Sequence, residues 1–297
     1  MKRIPEVSIE NISGFIPFIK DKGLSSNQAI QSLKKRLKLK KVGHCGTLDP
    51  IADGILPVVV NRVTRTARYF LRYKKRYVTT IRFGIETDTQ DISGRILSES
   101  SEVVYREDIE RVLGNFMGGY RQKTPLFSAR KYKGRTLYEY ARRGVEVPVT
   151  ERFVHIYEIS LTRFEFPFAE LDIVCGGGTY IRQLITDICR MAQTIGVMQS
   201  LTRTEYGVFN LQNSKRIDEL NLTDIIPIEK VFSDFGRFVI RPEFLSRARN
   251  GHPLREDACD SLVDGSFEEF LGFSGEGVVG IYRRVEGEFK PEVILSG

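Results

Sequence analysis

Two side chains that can exchange a proton or attack carbon lie close together early in the chain, the imidazole of His44 and the carboxylate of Asp49. They belong to the stretch 43–57, Gly-His-Cys-Gly-Thr-Leu-Asp-Pro-Ile-Ala-Asp-Gly-Ile-Leu-Pro. Its glycines and prolines predict a shaped loop, not a helix interior. Asp49 precedes Pro50, which biases its backbone towards an extended conformation. Gly46 and Gly54 allow another backbone or a ligand to come close. Leu48, Ile51, Ile55 and Leu56 anchor the loop. An anchored loop presenting a carboxylate and an imidazole is the best candidate for the chemistry. The alternative is that Asp49 only caps a turn, as Asp-Pro often does. Both readings stay open on these residues alone.

A second candidate is Gly176-Gly177-Gly178-Thr179, which turns the chain between an alternating strand and a helix with the apolar stripe Ile181, Leu184, Ile185, Ile188 and Ala192. Such a turn offers backbone N–H groups to an anion. It is neither a Walker loop nor a dinucleotide fingerprint. Tyr180 and Arg182 fall in the first helical turn. Arg182 is placed to pair with a carboxylate such as Asp49, or is a surface arginine. The four cysteines form no CxxC pair and the three histidines no HExxH, so no metal site is expected.

Charge points to the partner. Lys and Arg total 45 against 38 acids, a net +7, with a pI near 9.2. That balance suits a polyanion. Lys34, Lys35, Arg36, Lys38, Lys40 and Lys41 lead directly into the Asp49 loop. Over 61–77, arginines and lysines interleave with tyrosines, as phosphate contacts and base-stacking faces would, or as an amphipathic surface helix would. Residues 120–148 mix Arg121, Lys123, Arg130, Lys131, Lys133 and Arg135 with tyrosines and glycines. They read as a mobile basic arm with a short helix, a clamp that orders on RNA. The first ten residues hold no uncharged leader segment, and no run approaches the ~18 apolar residues of a membrane span. A cytoplasmic protein with reduced thiols is expected.

The elements that must hold these groups are legible from spacing. Residues 14–20 read as a strand ending in Lys20. Ser25-x-x-Gln28 resembles a capping box, followed by Ile30, Leu33 and Leu37 at helical spacing. Residues 55–60 read as a buried strand, and Tyr77, Thr79, Ile81 and Phe83 share one face of the next. Residues 87–94 close a hairpin returning near Arg95, with Asp91 as a turn former or a partner for an arginine. A helix over 106–117, a strand over 168–175 and its helix, and a strand over 201–209 follow. Residues 211–232 form a linker with a short helix. Beyond it, a helix over 243–249, a turn at Asn250-Gly251 and a strand over 278–284 suggest a small, mostly β domain. The expectation is an α+β chain with a catalytic domain over 1–232, its arm at about 120–150, and a second domain over 233–297.

Residues alone give no reaction, but a resemblance does. The string Gly43-His44-x-Gly46-Thr47-Leu48-Asp49-Pro50-x-Ala52-x-Gly54-x-Leu56 resembles the signature of the TruB family of tRNA pseudouridine synthases. Lys75-Arg76-Tyr77, Thr87-Asp88-Thr89 through Asp91, Pro125 to Lys131, Gly178-Thr179-Tyr180-Ile181-Arg182 and Leu201-x-Arg203 resemble its further motifs in order. The family's Gly-x-Ala-Thr-Lys appears as Asn61-Arg62-Val63-Thr64-Arg65, with the charge kept and the glycine lost. The C-terminal stretch is weakly similar to a PUA domain.

The resemblance implies a pseudouridine-synthase fold, a large mixed and mostly antiparallel sheet flanked by helices and loops, with a PUA-like C-terminal domain. It implies isomerisation of uridine-55 in the T arm of tRNA, without metal or organic cofactor, by a monomer. Asp49 would be the nucleophile, with attack on ribose, attack on base and glycal formation all open. Tyr77 would stack on the uracil and is a candidate for proton removal. Arg182 would pair with Asp49 and orient it. Tyr180 and Leu201 would line the pocket, and Lys20 would support the site. His44 would fill the space left by a flipped nucleotide. Arg65 and Lys131 would contact the RNA. A guide-RNA-dependent, dyskerin-type synthase and a non-catalytic tRNA-binding or tRNA-folding protein are the alternatives. The arm argues against the first, and the Asp49, Tyr77 and Arg182 set against the second.

Overall fold

Tyr77, Thr79, Ile81 and Phe83 do share a buried face, in the strand Lys75–Phe83 at the centre of the computed structural model. The structure describes residues 12–148, 150–263, 267–275 and 277–296. The first ten residues, on which the expectation of no leader segment rests, lie outside the described residues.

Lys75–Phe83 belongs to a seven-stranded sheet, whose strands are labelled in chain order. They are β1 (Ile19–Lys20), β2 (Asp53–Ile55), β3 (Lys75–Phe83), β4 (Ile156–Glu165), β5 (Phe168–Cys175), β6 (Gly196–Tyr206) and β7 (Phe209–Asn210). The order is β4-β5-β3-β6-β2-β1, with β7 paired to β6. All pairings are antiparallel except β6 with β2. Tyr77 stands between Ile173 on β5 and Arg203 on β6.

The helix Ile181–Met191 buries Ile181, Leu184, Ile185 and Ile188 in the core cluster shared with Ile81 and Leu171. The helix Arg106–Leu113 adds Ile109, Val112 and Leu113 to the same cluster. Each such aliphatic side chain contributes about 1.5–3 kcal/mol when fully buried. The helix Ser26–Arg36 starts with the expected capping box. Ser26 then fixes the loop that carries Asp49. Its hydroxyl donates to the Leu48 carbonyl at 2.9 Å and accepts from the Leu48 N–H at 2.8 Å.

Three expectations need correction. The strands anticipated over 14–20 and 55–60 are each broken, at Pro17 and at Leu56-Pro57. Proline cannot donate to a ladder. The halves Gly14–Ile16 and Val58–Val60 therefore join Val42–His44 in a separate three-stranded sheet, while β1 and β2 stay in the main one.

The segment 61–77 is not one surface helix. It is a 3-10 turn, Asn61–Thr66, and a short helix, Ala67–Phe70. Several of its cations and rings, over 62–73, face the C-terminal part of the chain. Arg68 pairs with Glu292 at 3.1 Å and Arg72 with Glu269 at 2.8 Å, and Tyr69 and Tyr73 pack on Phe232. Asn61, at the position of the lost glycine, adopts φ +53°. Asparagine is among the side chains that tolerate this left-handed backbone.

The arm carries the short helix expected for it, together with strand pairing that the sequence did not show. Tyr120–Lys123 pairs with Glu151–Val154 at its root, and a hairpin of Lys131–Tyr132 with Arg135–Thr136 leads into the capped helix Leu137–Arg142.

The C-terminal part is a six-stranded sheet of β8 (Gly236–Ile240), β9 (Leu254–Arg255), β10 (Cys259–Val263), β11 (Glu269–Ser274), β12 (Gly277–Val285) and β13 (Glu288–Ile294), in the order β9-β13-β12-β11-β8-β10. Phe238, Phe270, Tyr282 and Phe289 fill its core. A further cluster joins Phe15, Phe70, Phe209 and Phe232 to Leu271 and Ile281, so the two sheets share apolar packing. No helix among the described residues is long and apolar enough to cross a membrane.

Candidate active site

The Asp49 loop is held at both stems. On one side Lys20 is completely buried. Its ammonium donates to the carbonyls of Asp21 at 2.9 Å, Leu24 at 2.8 Å and Ala52 at 2.6 Å, which uses all three of its protons. Burial pushes Lys20 down to about 8, with Asp53 and Asp49 opposing the shift. On the other side the loop runs into β2, where Gly54 takes φ +100°. A Cβ there would lie 2.3 Å from the Arg203 carbonyl oxygen. The parallel contact of β2 with β6 therefore requires glycine.

Arg182 connects three segments to this loop. It sits one residue inside the helix Ile181–Met191 and its side chain is 4% exposed, against 32% for Asp49. Nε donates to Asp49 Oδ2 at 2.8 Å and Nη2 to Asp49 Oδ1 at 3.2 Å, a two-point grip on one carboxylate. Nη1 donates to the Thr89 carbonyl at 2.8 Å, and Nη2 to the Phe127 carbonyl at 2.9 Å. Asp91 fills both roles considered for it. Its Oδ1 accepts from Thr89 Oγ1 and the Ser93 N–H at 2.9 Å each, and its Oδ2 lies 3.9 Å from Arg182 Nε.

Tyr77 and Arg203 form the opposite wall. Arg203 is 1% exposed and donates from Nε to the Ile55 carbonyl at 2.6 Å. Its Nη atoms approach the Gly46 carbonyl at 3.4 Å, the Thr47 carbonyl at 3.5 Å and the Tyr77 hydroxyl at 3.4 Å. The guanidinium carbon lies 4.9 Å from the centre of the Tyr206 ring. Burial raises the Tyr77 phenol above its ordinary value, and Arg203 works against that shift. Lys75, on the same face of β3, is pushed down to about 8 by burial and then by Arg203.

These groups surround a cavity of about 560 Å³, of the size that encloses a small ligand. Asp49, Tyr77, Tyr180, Arg182 and Leu201 all line it, so five of the residues singled out in the sequence come together. Four do not line it. Lys20 is behind the loop. His44 lies in the strand Val42–His44, half-buried, with Nδ1 unpartnered among the described residues. Burial and then Arg203 push its imidazole down. Arg65 donates to the Ile294 carbonyl at 3.1 Å, at the seam with the C-terminal sheet. Lys131 is exposed on the arm hairpin.

Sequence reasoning gave no role to two further wall residues, Arg203 and Arg152. The motif Leu201-x-Arg203 includes the first but does not show what it holds. Nothing local marks the second, because its place depends on strand pairing at the arm root.

A family model described as TruB family pseudouridylate synthase (N terminal domain) matches residues 34–181. A tRNA pseudouridine synthase B of Caldicellulosiruptor saccharolyticus is 33% identical over 94% of this chain and 97% of its own length. One from Mesoplasma florum is 40% identical, covering 93% and 96%. Among solved structures, a chain of a Cbf5-Nop10-Gar1 complex superposes with a TM-score of 0.73 at 22% identity, over 97% of this chain and 85% of that one. A chain of an H/ACA RNP bound to a substrate RNA containing 2'-deoxyuridine gives 0.72 at 21%, over 96% and 85%. At those identities the likeness speaks to the fold, which is the mixed sheet with a PUA-like C-terminal part expected from the sequence.

Proposed function

The chain belongs to the TruB family of pseudouridylate synthases, and from that premise we propose that it converts uridine-55 in the T arm of tRNA to pseudouridine with Asp49 as the nucleophile. The observation that carries this reading is that Asp49 is the only carboxylate among the residues lining the cavity. It is also the one that Arg182 grips at two points. The curated relatives, named for tRNA, favour a tRNA substrate over the guide-RNA alternative.

The reaction breaks the bond between ribose C1′ and uracil N1 and forms one between C1′ and C5. The proton on C5 leaves and N1 gains one, so the change is an isomerisation. A carboxylate acting on the nucleotide lets the detached uracil be held and turned before it rebonds. The detached base must not escape, and a pocket closed by Tyr77, Tyr180 and Leu201 serves that need. Tyr77, its phenol raised above the ordinary value by burial, offers a ring face to the base. Arg182 fixes the Asp49 carboxylate in one orientation, which favours an attack geometry.

Reaching a base inside a folded T arm requires flipping it out; His44 is proposed to fill the gap, and the arm, including Lys131, to grip the RNA. We assign residues 1–232 to the catalytic unit and 233–297 to the PUA-like unit, with Arg65 at their seam as an RNA contact. Lys20 supports the site by holding the loop.

The test is incubation of the protein with an unmodified tRNA transcript, followed by mapping of the modified position. Pseudouridine at position 55 alone is the expected result. Modification elsewhere overturns the site assignment, and none at all overturns the reaction.

A further inference from the structure

Five cations line the cavity around Asp49: Arg72, Lys75, Arg152, Arg182 and Arg203. Four are committed to protein partners. Arg72 Nη1 donates to Glu269 at 2.8 Å. Lys75 donates to the carbonyls of Leu71 at 3.2 Å and Tyr73 at 3.1 Å. Arg182 holds Asp49, and Arg203 holds the loop carbonyls. Arg152 is different. It is exposed and, among the described residues, has no hydrogen-bond partner and no acid within ion-pair distance.

The cation is nevertheless seated. A Cβ on Gly178 would fall 2.2 Å from the Arg152 guanidinium carbon, so the guanidinium lies directly against the turn that opens the helix Ile181–Met191. Gly178 has φ +86°, a second reason for glycine there. The strand Glu151–Val154 that carries Arg152 is tied to the cavity wall. Arg152 faces Gln122 in the register, and the Gln122 side chain accepts from the Tyr180 N–H at 2.8 Å and donates to the Tyr180 carbonyl at 3.1 Å. The same cavity holds a buried hydroxyl without a partner among the described residues, Ser128 Oγ. The cavity thus lacks partners for one inner hydroxyl and one outer cation.

We propose that Arg152 is a phosphate-binding residue of this site, taking an oxygen of the RNA backbone beside the nucleotide seated on Asp49. This rests on the reading of the cavity as a nucleotide site. A nucleotide brought into it carries a phosphate on each side. The planar guanidinium fork matches phosphate oxygens, and of the cavity's five cations Arg152 alone has no protein partner among the described residues.

The test compares equilibrium binding of a tRNA transcript by the wild type, Arg152→Gln and Arg152→Lys across a salt series. Binding is read independently of turnover, so failure of the proposed reaction does not mask the result. Arg152→Gln is expected to bind about tenfold more weakly. Its slope of log affinity against log salt should be shallower by about 0.7–0.9, the loss of one phosphate contact. Arg152→Lys should keep the wild-type slope.

A second arm uses transcripts in which the phosphate on the 5′ or the 3′ side of the target uridine is a neutral methylphosphonate. One of the two should weaken the wild type by about tenfold and leave Arg152→Gln no weaker than on normal RNA. An unchanged salt slope in Arg152→Gln, or losses from variant and methylphosphonate that multiply at both positions, overturns the proposal.

Discussion

Arg182 shows how much one side chain can organise. Its N–H groups reach the Asp49 carboxylate and the backbone of two other segments, at Thr89 and Phe127. A lysine keeps the charge but not the fork. Arg182→Lys is therefore expected to lower stability by about 2–3 kcal/mol in urea unfolding and to slow pseudouridine formation at least about 100-fold. A variant with normal turnover would detach Arg182 from the chemistry.

Lys75 carries a pH signature. Its folded pKa of about 8 lies below the ordinary 10.5. Between those values the unfolded chain binds a proton that the folded one does not, so stability rises with pH through this window. The raised phenol of Tyr77 acts in the other direction only above about pH 10, where unfolded tyrosines ionise. The thiols of Cys45, Cys175, Cys189 and Cys259, pushed up by burial to between about 11 and about 12, oppose the rise from about pH 9, where unfolded thiols ionise. Urea midpoints should thus climb from pH 8 only to about 9. Lys75→Met should flatten part of the climb, the rest belonging to Lys20, which shifts the same way.

At the level of elements, the sequence is most readable where periodicity and caps coincide. The strand Lys75–Phe83, the helix Ile181–Met191 and the capping box at Ser25 all emerge as their spacing predicts. The failures have a common cause in partner choice, which local spacing does not encode. Over 61–77 the arginine and tyrosine pattern looks like an RNA face, yet Glu292, Glu269 and Phe232, far along the chain, take up Arg68, Arg72, Tyr69 and Tyr73. Composition alone does not separate a cation facing phosphate from one facing a distant carboxylate.

Arg203, named in the sequence only within a motif, was given no role for a similar reason. Its importance comes from the β2–β6 pairing, which brings it over the Asp49 loop. That pairing makes Gly54→Ala a sharp probe. The added carbon meets the Arg203 backbone and must also bear a positive φ. A loss of at least about 3 kcal/mol is expected. A near-neutral result in thermal unfolding would mean that β2 does not lie against β6 as described.

Across the whole molecule, the apolar cluster around Phe232 decides whether the two sheets behave as one. Phe232 is fully buried, with ring centres 5.5 Å from Phe15 and 4.7 Å from Phe235. The same cluster includes Leu271 and Ile281 of the C-terminal sheet. Phe232→Ala should cost about 3–5 kcal/mol and lower both sheets together, so calorimetry should show a single transition at a lower temperature. Two separated transitions would show that the sheets unfold independently. This shared packing was not legible in the sequence, where residues 211–232 read as a linker. Their role becomes visible only when Ile226 bridges to Phe15.

The proposed chemistry turns on the carboxylate that Arg182 holds, and one comparison addresses it directly. Asp49→Asn keeps the shape of the side chain and removes its charge. In single-turnover assays on a tRNA transcript it should bind within about threefold of the wild type while pseudouridine formation falls at least about 1,000-fold. Conversion by Asp49→Asn at a rate near the wild type, on RNA bound equally well, would contradict the assignment of Asp49 as nucleophile.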